Sequence, residues 1–241
     1  GCLELYGNPS SSHALGRAAK EKYESSRAAI ADLVNADPDE IVIMSCGTET
    51  INYCLRGAAH SARALGYGSH IVTSAIEHDA VLATVDYLVE SEGFTSTVVP
   101  VDGHGTVTAE AIRAALTPET VLVSVMHSNN EVGTINPIAE IAAALRAYAS
   151  SSSNGHGHPI LFHSDTSQSL GKVAIDARAL GVDYLTVTGH KLYAPKGIGA
   201  LFVKKNPQKV SIRAAKGMRR QNIRDKCPPT RSQQAATRKR A

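Results

Sequence analysis

The chain's 241 residues, 43% hydrophobic and 20% charged, suffice for one large globular domain, or one domain and part of another. No uninterrupted apolar run approaches the ~20 residues that cross a bilayer, and the start, Gly1-Cys2-Leu3-Glu4, lacks the regions of a signal peptide, so a cytoplasmic protein with no membrane role is expected. The net charge of +3 hides an asymmetry: residues 204–241 hold thirteen Lys/Arg against one acidic residue, Asp225, whereas residues 1–203 hold twelve against twenty-one.

From residue 11 to 203 helical and strand patterns alternate. Residues 12–34 predict a helix with a hydroxyl N-cap at Ser12 and an Ala/Lys/Glu/Arg-rich body, ending before Asp37-Pro38. The strands expected next are 40–44, 70–73, 95–101, 121–126, 160–163, 182–187 and 198–203. The helices expected between them are 48–65, 80–90, 108–116 and 138–148. This alternation predicts βα units and an α/β fold with a mostly parallel sheet flanked by helices. Short, continuous apolar runs fit strands buried on both faces. In such sheets ligands bind beyond the strands' carboxyl ends. Residues 150–158 read as a solvated loop, so His156 and His158 are not taken as metal ligands and no metal is expected. Cys2, Cys46, Cys54 and Cys227 form no CxxC pair, which points to a reducing compartment. Residues 204–241 have almost no aliphatic periodicity and are expected to be disordered.

The polar residues after the strands carry the chemistry. In Ser45-Cys46-Gly47-Thr48-Glu49, Gly47 permits close approach, Thr48 offers a hydroxyl, and a helix start offers N–H groups to a phosphate; taken alone, the segment reads more readily as an ordinary helix cap. In Glu77-His78-Asp79, His78 is an acid/base, a face to stack on a ligand ring, or part of a helix cap. Asn129 and Asn130 can hydrogen-bond a carboxylate or phenolate oxygen, or close an Asx turn. Asp165 is costly to bury unless it meets a cation, such as a protonated pyridine nitrogen; its plainer reading is a helix N-cap. The strand 182–187 delivers Thr188, His190 and Lys191, the last a candidate Schiff-base amine. Phosphate cradle, stacking histidine, amide, acidic ring partner, hydroxyl and lysine, in that order, are the inventory of a pyridoxal 5'-phosphate (PLP) site.

On these segments the chain resembles the class V aminotransferase family of fold-type I PLP enzymes, and within it the cysteine desulfurases and selenocysteine lyases. The carrying residues are Gly7-Asn8-Pro9-Ser10-Ser11, Ser45-Cys46-Gly47-Thr48-Glu49, Glu77-His78, Asn129 to Thr134, Asp165-Thr166-Ser167-Gln168 and Gly189 to Leu201. The resemblance implies Lys191 as the catalytic amine that holds the cofactor and shuttles protons at the substrate α-carbon. It implies Asp165 on the pyridine nitrogen and His78 against the ring. Gln168 and Asn130 would reach the phenolic oxygen, and Gly47, Thr48, Thr188 and His190 the phosphate. The implied reaction takes sulfur or selenium from cysteine or selenocysteine and leaves alanine. An acceptor protein and a homodimer are the implied partners.

The family pattern also carries a strand and short helix before Gly7, and beyond about Val203 a Gly-rich loop and a small C-terminal domain with a substrate-binding arginine and a nucleophilic cysteine. None is recognisable here. The expected organisation is an N-terminally incomplete PLP-binding large domain over 1–203, a basic tail over 204–241, and a missing small domain. The first residue is not Met, so an organelle location stays open. Cys227 lies only 36 residues past Lys191, too near to be that nucleophile. Three alternatives stand beside the desulfurase: a selenocysteine lyase, whose longer loop the insertion before Pro159 resembles; an inactive fragment, including one that dimerises with a complete relative; and a nucleic-acid-binding protein acting through the tail. Tail cations can bind phosphate backbones without sequence specificity, but no recognition fold accompanies them.

Overall fold

The computed structural model describes residues 5–151 and 157–205; Cys2, His156, Cys227 and the tail from residue 206 lie outside them. Among the described residues seven strands form one sheet: β1 (Ile41–Met44), β2 (His70–Ser74), β3 (Thr95–Val99), β4 (Thr120–Ser124), β5 (Leu161–Asp165), β6 (Tyr184–Thr188) and β7 (Gly199–Val203). Their order is β1-β7-β6-β5-β4-β2-β3. The helices are α1 (Ala14–Leu33), α2 (Gly47–Ala64), α3 (Asp79–Glu92), α4 (Ala109–Ala115), α5 (Ile138–Ser150) and α6 (Ala177–Leu180). Each expected strand is present; α6, a single turn, is too short to show a period in sequence.

Strands β3, β2, β4, β5 and β6 pair in parallel. Only residues 189–198 separate β6 from β7, too few for the crossover that parallel pairing needs, and β7 accordingly returns antiparallel. β1 lies antiparallel on β7's other side, which turns it parallel to the rest. The carboxyl ends of β1, β2, β4, β5 and β6 therefore share one edge of the sheet, where ligands of open α/β sheets bind.

Successive strand residues face opposite sides. Ile71, Leu122, Leu161, Tyr184 and Leu201 pack under α2 and α3 with Ile51, Leu55, Val85 and Leu88. Their chain neighbours Val72, Val123, Phe162, Leu185 and Phe202 pack on the other face with Ile112, Ile138, Ile141 and Leu145. Burial on both faces explains the continuous apolar runs.

Two local expectations are corrected. The N-cap of α1 is His13, not a hydroxyl: its Nδ1 accepts the Gly16 N–H (3.2 Å), because the helix starts at Ala14 and Ser12 lies one residue too early. Glu40 belongs not to the first strand but to a 3-10 turn, Pro38–Glu40. Its buried carboxylate needs a cation and meets one in Arg178, whose guanidinium donates to both oxygens, while the Lys205 N–H donates to Oε1 (2.8 Å). Arg178→Ala leaves that carboxylate without its cation; an expected loss of about 2 kcal/mol in urea unfolding checks the assignment.

Candidate functional site

At the shared edge of the sheet lies a cavity of ≈160 Å³ walled by the loops after β1, β2, β4, β5 and β6. Gly47, Thr48, His78, Asn130, Asp165, Gln168, Thr188, His190 and Lys191 all line it, together with Cys46, Ile51, Met126 and Ser167. Gly47, Asp165 and Thr188 are buried at its floor; Thr48, His78, Asn130, His190 and Lys191 stand exposed at its rim. A larger hollow of ≈500 Å³ opens beside Arg146 and Asp183, but none of the candidate residues reaches it.

The start of α2 forms the side beside β1. Its N-cap is Cys46, whose Sγ accepts the Glu49 N–H (3.4 Å), while the Glu49 carboxylate accepts from the Ser45 N–H and hydroxyl (both 2.8 Å). The cap is thus made without Thr48, which stands at the second helical position with its hydroxyl at the rim. The helix provides no acceptor for the Gly47 and Thr48 N–H groups. Gly47 lies so close to β6 that a Cβ there would stand 2.2 Å from Thr188 Oγ1. Donors and helix dipole together suit an anion.

Asp165 ends β5. Burial pushes its carboxyl up from the usual range, while Ser167 hydrogen bonds and the nearby His78 and Lys191 charges draw it back down. Its Oδ1 accepts the Ser167 N–H (2.9 Å) in an Asx turn; no helix begins there, so the helix N-cap reading of Asp165 does not hold. The Ser167 hydroxyl also meets Thr188 Oγ1 (2.7 Å), tying β5 to β6. Sequence reasoning missed the role of Ser167 because its contact with Thr188 appears only once the strands are adjacent.

The two amides divide their work. Asn129 is buried and closes the turn, its Oδ1 accepting from Glu131 and Val132 N–H (both 2.9 Å). Asn130 reaches the rim and donates to Glu131 Oε1 (2.7 Å). Gln168 Oε1 accepts from Lys172 Nζ (3.1 Å), which leaves its NH₂ as the group free to donate inward. Lys172, another residue the sequence did not single out, sets that orientation.

His78 is the helix cap that one of its readings expected, and it also reaches the cavity. Its Nδ1 accepts the Ala80 N–H (3.1 Å) as the N-cap of α3, and its ring lines the cavity. Lys191 sits in a 3-10 turn, Gly189–Leu192. The turn is closed by Ala194 N–H to Gly189 O (3.1 Å) and by Gly189 N–H to Ile198 O (3.1 Å). A Cβ on Gly189 would lie 2.7 Å from that Ile198 oxygen, so this close approach requires glycine. His158 is not a bare loop residue: its ring stacks on Tyr67 at 4.8 Å. Among the described residues no group of three or more His, Cys, Asp or Glu could hold a metal, and no helix is long and apolar enough to cross a membrane.

Beneath the floor runs a buried polar row. Ser124 Oγ meets His163 Nδ1 (2.9 Å) and His163 Nε2 meets Thr186 Oγ1 (2.9 Å), joining β4, β5 and β6 two residues below Asp165. Burial lowers the His163 pKa to about 3, so the ring stays neutral. Burial also raises Glu77 to about 8.

A central lysine, a buried acid and an anion-cradling helix start at one edge of a helix-flanked, mostly parallel sheet define a fold-type I arrangement. The family model "Aminotransferase class-V" matches residues 2–218, and the chain belongs to that family. It is 49% identical over 204 residues to a protein named cysteine desulfurase IscS from Pseudomonas fluorescens (strain Pf0-1), covering 84% of this chain and 47% of that one. A solved NifS-like protein superposes with a TM-score of 0.77 at 36% identity, over 84% of this chain and 53% of that one. A structure described as SspA in complex with cysteine gives 0.74 at 36% identity, over 83% and 54%. The chain thus spans about half the length of the curated relatives it matches.

The Glu77 pKa sets a pH slope. The folded chain keeps this proton up to about pH 8, whereas the unfolded chain releases it near 4.5; the unfolded state then binds fewer protons, so stability falls as pH rises through that window. Between pH 5 and 8 the urea midpoint of Glu77→Gln should fall less than that of the wild type, and equal slopes would remove Glu77 as the cause.

Proposed function

We propose that this chain supplies the PLP site of a cysteine desulfurase. The carrying observation is the convergence of Asp165, Lys191 and the α2 N-terminus on one cavity. Three features test the fit of the cofactor. A buried carboxyl at the floor lacks a full cation partner and is raised by desolvation, as a site for a ring N–H requires. The N–H groups of Gly47 and Thr48, with the Thr48 and Thr188 hydroxyls and His190, form a donor set for a phosphate. Lys191 brings an amine to the same cavity. When bound, PLP supplies a conjugated electron sink for charge developing on the substrate α-carbon.

The chain's own residues do the rest. Asp165 would accept the ring N–H and favour the protonated nitrogen. His78, anchored through Nδ1 to α3, presents its ring face. Gln168, turned by Lys172, donates toward the phenolic oxygen, and Asn130 lies where it can donate to that oxygen or to the substrate carboxylate. Lys191 would hold the cofactor and would serve as the general acid/base for the proton at the substrate α-carbon. In the net reaction the C–S bond of L-cysteine breaks and an acceptor thiol forms an S–S bond to the departing sulfur. The carbon takes up a proton, so L-alanine and a persulfide are the products. The acceptor is a thiol on a partner protein. Val132, Ile135 and Val173, exposed at 69%, 53% and 38% near the rim, fit a face covered by a second copy in a homodimer. The reduced Cys46 and Cys54 fit a cytoplasmic location.

Titrating the chain with PLP should give a visible absorption band that Lys191→Ala abolishes. Cysteine should then yield alanine. No band in the wild type would refute the cofactor site, and a band without alanine would restrict the chain to cofactor binding.

A further inference from the structure

Glu77 has no role in the reading above, yet it is built into the site. It precedes His78 and is buried, 6% exposed. Its Oε1 accepts two hydrogen bonds, from the Ser74 hydroxyl at the end of β2 and from the Met126 N–H just past β4 (2.7 Å). A second tie joins the same two loops: Asn129 Nδ2 donates to Ile76 O (3.0 Å). His78 and Met126 are both walls of the cavity.

We propose that Glu77 is the positioning residue for His78: it clips the β2–α3 loop to the end of β4 and so fixes where the imidazole stands in the cavity. This deepens the PLP reading of the cavity and rests on it.

Glu77 shares that task with the Asn129–Ile76 tie and with the packing of α3 on the sheet, but it is the contact nearest His78. His78 is exposed, and its bond to the Ala80 N–H fixes the ring relative to α3. Nothing in that bond fixes the start of α3 relative to the sheet. The Glu77 carboxyl does, one residue away. Burial and the Asp165 carboxylate on β5 favour the acid form, whereas the Ser74 hydroxyl and the Met126 N–H favour the carboxylate; the flanking groups are His78 and Asp79. Burial outweighs the two donors and keeps the proton on near neutrality. Oε2 is buried without a hydrogen-bond partner among the described residues, so Oε1 alone orients the group. A glutamine can reproduce that arrangement, with its oxygen on the same two donors. Leucine cannot, and leaves a buried N–H and hydroxyl without an acceptor.

The test is a double-mutant cycle on PLP affinity, read by absorbance on the whole chain, for wild type, E77L, E77Q, H78A and E77L/H78A. If Glu77 acts through His78, E77L and H78A each weaken binding about tenfold. The double variant then stays within about threefold of the weaker single one, and E77Q stays within about threefold of wild type. The inference is overturned if E77L binds like wild type, if the single losses multiply to about a hundredfold, or if E77Q is as damaging as E77L. Should E77L not fold, Ser74→Ala removes one of the two donors and enters the same cycle with H78A, where independent losses count against the inference. A wild-type chain that binds no PLP refutes the cofactor reading first, and the inference with it; that failure shows in the wild type alone.

Discussion

Asp165 ends a strand that is buried on both faces, and a carboxylate there is disfavoured until a positive group meets it. The structure meets that constraint only in part. One oxygen takes the Ser167 N–H, while His78 and Lys191 act from nearby as charges. The proposed PLP site rests on the remaining imbalance, which a ligand with a cationic N–H on one side would complete. Much of the surrounding architecture serves to place that carboxyl: β5 at the centre of the sheet, the His163 row beneath it, and the Ser167–Thr188 contact beside it.

The second requirement is convergence, and it follows from one short loop. Residues 189–198 are too few to cross the sheet, so β7 turns back antiparallel and β1 aligns with the remaining strands. Five loops then meet at one edge. The same ten residues hold Lys191 in its 3-10 turn. The connection that sets the topology also positions the amine.

Most of the fold was legible because burial on both faces writes continuous apolar runs between helical patterns. All of the candidate residues lay directly after such runs, and the structure gathers them in one cavity. The failures have a common cause. Glu40 looked like the first residue of a strand until Arg178, 138 positions away, was brought beside it. The roles of Ser167, Lys172 and His163 depend on neighbours in other strands or one turn further on. The cap of α2 fell to Cys46, a weak acceptor that composition does not flag. Glu77 stood next to a singled-out histidine, but its one partner from another strand is a backbone N–H at residue 126, and backbone partners leave no trace in side-chain patterns.

The proposed PLP site requires that Asp165 meet a cation in this cavity. The direct measurement is the carboxyl ¹³C shift of Asp165, assigned with Asp165→Asn, followed through a pH titration with and without PLP. Without PLP the carboxyl should titrate above the usual aspartate range, and with PLP its pKa should fall as a ring N–H pairs with it. A pKa that PLP leaves unchanged would contradict the account.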